Sequence, residues 1–104
     1  MLISYIKRSP MKRPAAVAGT FYPADPTELT NTIESYISAA PPYSGPPIKG
    51  GIVPHAGYIY SGPIAASAYK ALQHLPQDKT YTVFLIGPAH RHYVDVSIGN
   101  YESY

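Results

Sequence analysis

The run YTVFLIG, residues 81–87, carries no charge and no polar alternation. A strand with one wet face alternates apolar and polar residues, so a continuous β-branched and aromatic run belongs to a strand covered on both faces, the setting of a parallel-sheet interior. That is a demanding requirement for 104 residues. A chain of this length makes one modest core and buries roughly two thirds of the surface that its unfolded form exposes. Hydrophobic residues make up 45% of it and charged residues 13%, too apolar for a disordered tail. Some of that apolar surface expects a partner or a further piece of chain.

Upstream of this run the pattern changes period. In DPTELTNTIESYISAA, Asp25 can cap a helix, Pro26 suits its first position and Glu28 completes a capping box, while Leu29, Ile33, Tyr36, Ile37 and Ala40 share a face. PPYSGPPIKGG follows, and its four prolines remove donors and restrict the residues before them, which makes it a linker. Residues 48–54 then read as a short strand. Pro63 is expected to open a second helix, with Ile64, Ala68, Leu72 and Leu75 on one face and Pro76 closing it. After a turn at residues 77–79 comes YTVFLIG. Strand, helix and strand in this order predict an α/β fold built on a βαβ unit, with parallel central strands and a right-handed crossover.

This topology gives the histidines their interest. His55 follows the carboxyl end of the first expected strand, and His90, in GPAHRHY, follows that of the second. Parallel strands end on the same side of a sheet, where open α/β sheets bind ligands, so two imidazoles distant in sequence can converge as a pair of metal ligands. Either histidine taken singly reads more readily as a hydrogen-bonded structural residue or a turn residue, and it is the convergence of the two that raises the metal reading to equal standing. Tyr58 lines the same crevice or covers the helix start, and Tyr60 shares that ambiguity. The turn at Ser61 and Gly62, before Pro63, can offer backbone N–H groups to an anion, and His92 is a further crevice candidate. His74 sits late in the helix, where a cation suits the dipole. Asp25 and Glu28 are caps, not an acid–base pair.

Charge and composition exclude several classes. Lys7, Arg8, Lys12 and Arg13 crowd the first thirteen positions, so residues 1–12 read as a basic extension, with Met1 and Met11 both open as the initiator. The body from position 14 holds four basic and six acidic residues, a formal charge of −2, which lacks the footprint of a nucleic-acid binder. No cysteine is present, so disulfides, thiolate nucleophiles and cysteine-ligated zinc are excluded, and any metal must use His, carboxylate or water. The apolar LISYI stretch is too short for a secretory signal and precedes the basic residues, and no membrane span is expected. A cytoplasmic location follows by default.

RPAAVAGTFYPADPTEL, IVPHAGYIYSGPIAASAYKAL and VFLIGPAHRHY, in that order, resemble the N-terminal part of the Memo family, which includes the bacterial and archaeal members named AmmeMemoRadiSam system protein B. The likeness runs from about Arg13 to the last residue, so residues 13–104 read as the N-terminal portion of one Memo-like domain. The family is similar in fold to the class III extradiol dioxygenases, which open catechol rings with non-haem iron(II). The resemblance implies that His55 and His90 occupy the positions of two metal-site histidines, for iron(II) or copper. Family members are longer, and their remaining metal-site residues lie downstream, so the third protein ligand is expected outside this chain, in a missing C-terminal part that would also be its partner. The alternative is a non-catalytic module that binds a small molecule, a peptide or a phosphopeptide in the same crevice.

Overall fold

The computed structural model describes residues 11–91. The chain divides into two units, a helical one, Val17–Tyr81, and a second formed by Met1–Ala16 with Thr82–Tyr104. The basic extension lies outside the described residues for positions 1–10, as do His92 and the segment to Tyr104.

In the helical unit, α1 spans Pro26–Ala39. The Asp25 carboxylate accepts the Glu28 N–H at 2.8 Å, and Pro26 takes the first position, where its missing donor costs nothing. The N-cap half of the expected capping box is therefore formed. α1 stops because Ala40, standing before Pro41, adopts an extended conformation (φ −64°, ψ 142°); a residue preceding proline is driven out of the helical region. Its last carbonyls are satisfied from outside: Lys70 Nζ donates to Ala40 O at 2.6 Å and reaches Ser38 O at 3.4 Å. A cation there also complements the helix dipole.

α2 spans Tyr58–Leu72 and begins ahead of Pro63, the residue expected to open it. Two contacts make a turn possible before the proline. The Tyr58 N–H donates to Phe21 O at 2.8 Å, and Gly57 O accepts from Tyr60 N and Ser61 N, both at 3.0 Å. Pro63 then costs one intrahelical bond, the one its N–H would have given to Ile59 O. The far end tightens before Pro76: Gln73, His74 and Leu75 donate to carbonyls three residues back at 3.1–3.2 Å, the pattern of a 3₁₀ turn.

The helices meet through small residues. A Cβ on Gly62 would overlap the ring of Tyr36, 2.7 Å from its Cδ2, so glycine lets α2 approach α1 closely. Ala40, Ala66 and Ala71 are buried, together with Ser61, and among the described residues no bulky side chain is fully enclosed.

The two expected strands are not formed among the described residues. An isolated bridge joins Ala18 to Tyr22, in a turn where Gly19 has φ +80° and donates to Tyr22 O at 2.8 Å. Ile52 is fully exposed, and Val83, Phe84, Leu85 and Ile86, in the second unit, are 73–95% exposed. A strand exists only as a member of a ladder, because its N–H and C=O groups need partners on a neighbouring chain segment. The described residues thus hold two helices, and the expected βαβ unit is not formed among them. No described helix is long and apolar enough to cross a membrane.

Candidate functional site

His55 stands in the helical unit, three positions before the first residue of α2, and is exposed. It borders a cavity of about 460 Å³. One wall comes from α1 through Ile33, Tyr36 and Ile37; another comes from α2 through Ser61, Gly62 and Ala66. Phe21 and Tyr22, from the turn before α1, and Val53 to Ala56 complete the rim. The lining is mostly apolar and aromatic with few polar groups, which is the general character of small-molecule sites.

Of the residues expected to bind a ligand, Tyr58, Ser61 and Gly62 all border this cavity with His55, and each also has a packing task. The Tyr58 ring lies 5.5 Å from that of Tyr22 at 43°, an aromatic contact that joins the turn at residues 17–22 to the start of α2. Tyr60 is 82% exposed and is absent from the lining. Ser61 is 5% exposed, and its hydroxyl donates to Ala56 O at 2.7 Å and lies 3.2 Å from Gly57 O. A Cβ at Gly62 would overlap the Tyr36 ring unless that ring shifted, so the glycine at the helix start has a steric reason independent of anions. His90 is exposed and belongs to the second unit, and His92 lies outside the described residues. His74 follows the end of α2, edge-on to Tyr43 with ring centroids 5.7 Å apart.

Sequence reasoning overlooked Phe21, Tyr22 and Tyr69 as lining residues. The cluster GTFYP was visible as aromatic, but its position beside the start of α2 depends on the long-range bond from Tyr58 to Phe21, which no local pattern encodes. Tyr36 was legible only as part of the apolar face of α1.

Imidazole nitrogen is a donor for iron(II), copper(II) or zinc, and that is the chemistry that His55 and His90 each carry. No group of three or more His, Cys, Asp or Glu residues that could hold a metal occurs among the described residues.

The Memo-like protein family matches residues 13–101, and the chain belongs to that family. It is 49% identical over 88 residues to a MEMO1 family protein of Ignicoccus hospitalis, covering 75% of this chain and 30% of the relative. A MEMO1 family protein of Sulfolobus acidocaldarius is 39% identical over 104 residues, covering 89% and 34%, and one of Aquifex aeolicus is 44% identical over 78 residues, covering 75% and 27%. The chain therefore spans about a third of the length of these relatives. No solved structure matches it.

Proposed function

We propose that this chain supplies His55 and His90 as two imidazole ligands to a non-haem metal site, for iron(II) or copper, in a Memo-like protein of the cytoplasm. The observation that supports it is the station of His55, within PHAGY, at the rim of an aromatic-lined cavity. Further protein ligands would come from the part of a Memo-like domain outside the described residues, which is also the partner this reading implies. When bound, the cation would supply Lewis-acid or one-electron chemistry. The chain's own contribution is to present the His55 imidazole at the rim of a mostly apolar cavity.

Titration calorimetry with iron(II), copper(II) and zinc tests this reading. Replacing His55 or His90 by Ala should remove most of the binding, whereas His74→Ala should leave it nearly unchanged. Equal losses from His74→Ala and His55→Ala would mean adventitious surface binding and overturn it.

The cavity lining favours a second reading, a non-catalytic module for a small aromatic ligand. Tyr22, Tyr36, Tyr58 and Tyr69 offer faces and edges for stacking. No Lys or Arg is among the described lining residues, which leaves His55 as the basic group at its rim.

A further inference from the structure

We infer that Ser61 is a positioning residue for His55, acting through the backbone instead of contacting a ligand. The inference rests on the reading of His55 as a metal ligand given above. Ser61 is buried, and its hydroxyl is committed: it has one proton, given to Ala56 O at 2.7 Å. Its oxygen also lies 3.2 Å from Gly57 O, and its N–H donates to that same carbonyl at 3.0 Å. The two carbonyls that follow His55 in the chain are therefore both held by one enclosed residue. Gly57, the N-cap of α2, has no side chain that could do this for itself.

Fixing these groups matters because the backbone has two soft dihedrals per residue. With the Ala56 and Gly57 carbonyls held, and the Tyr58 N–H bonded to Phe21 O at 2.8 Å, little freedom remains between His55 and α2. The imidazole is thus delivered from a fixed backbone, and a ligand that is already oriented loses less freedom on binding.

The test uses zinc alone as the probe, with calorimetric affinity and far-ultraviolet circular dichroism measured on the whole chain. Ser61→Ala and Ser61→Val lack the hydroxyl; Ser61→Thr keeps it. Thr Oγ1 stands where the serine hydroxyl does, within reach of Ala56 O and of Gly57 O four residues back. Lys70→Met is the control: it removes the cation from the last carbonyls of α1 without touching residues 55–57. Ser61→Ala and Ser61→Val should bind zinc about three- to tenfold more weakly, the loss that one net hydrogen bond converts to. Ser61→Thr and Lys70→Met should bind as the parent does. If Ser61→Ala and Ser61→Val bind zinc at full strength while His55→Ala loses it, the positioning role is overturned and the ligand role of His55 stands. Affinity falling in step with helicity in the Ser61 variants and Lys70→Met alike would overturn it too, since the hydroxyl would then serve stability alone. Zinc binding unaffected by His55→Ala would overturn the metal reading itself, and the inference with it.

Discussion

The two helices of the Val17–Tyr81 unit begin in opposite ways. α1 starts on its own resources, since the Asp25 carboxylate takes the Glu28 N–H and Pro26 needs no acceptor. α2 starts on borrowed ones. Its N-cap is Gly57, with no side-chain cap, and its first amide is satisfied by Phe21 O from the other side of α1 in the chain. A self-contained start can form wherever the sequence goes. A borrowed one forms only when the unit is assembled, and it ties the residues just before α2, His55 among them, to that assembly.

The largest expected effect comes from prying the helices apart. Gly62→Leu would drive a side chain into the Tyr36 ring and should lower the stability of the helical unit by roughly 1–3 kcal/mol, the usual range for overpacking. Because α2 depends on assembly, its helical signal should fall with the loss of α1–α2 packing, while the start of α1 persists. Chemical denaturation followed by circular dichroism and by nuclear magnetic resonance of the Glu28 and Tyr58 amides reads both. Simultaneous, equal loss at the two starts would erase the distinction.

Exchanging the two kinds of cap sharpens it further. Asp25→Ala removes the local cap and should cost about 1 kcal/mol. Gly57→Ser gives α2 a local cap of its own and should gain only a few tenths of a kcal/mol, because Ser61 and Phe21 already satisfy that turn. A Cβ at position 57 would meet Phe21 O at 3.5 Å, ordinary van der Waals contact, so the gain should not be lost to a clash. Urea midpoints of the two variants against the parent give both numbers, and a Gly57→Ser gain as large as the Asp25→Ala loss would mean that the borrowed contacts contribute little.

The same distinction decides what could be read from the sequence. α1 was legible to its first residue because Asp25, Pro26 and Glu28 are neighbours whose chemistry is complete within one turn. The start of α2 was misplaced at Pro63 because its determinants, Phe21 and the buried Ser61 hydroxyl, are tertiary. Gly62 looked like a residue for backbone approach to an anion, whereas its neighbour is the Tyr36 ring, which only the packed pair reveals. His55 was expected at the carboxyl end of a strand and stands three positions before α2; Tyr58, Ser61 and Gly62 were read as lining a crevice at strand ends, and they border the cavity between α1 and α2, where Phe21, Tyr22 and Tyr69 were not foreseen. The apolar run at residues 81–87 announced a need for cover. A hydrophobic pattern states that need without naming the strand that meets it, and the ladder is not formed among the described residues.

Amide hydrogen exchange at Tyr58 tests the borrowed start most directly. The first amides of a helix have no intrahelical acceptor and ordinarily exchange with solvent readily. If Phe21 O holds the Tyr58 N–H, that amide should be protected, at a level close to those of Tyr60 and Ser61 within the same turn. Exchange of Tyr58 at the rate of an unprotected amide, with Tyr60 and Ser61 still protected, would contradict it: α2 would then begin without help from the turn at residues 17–22, and the backbone after His55 would not be fixed from that side.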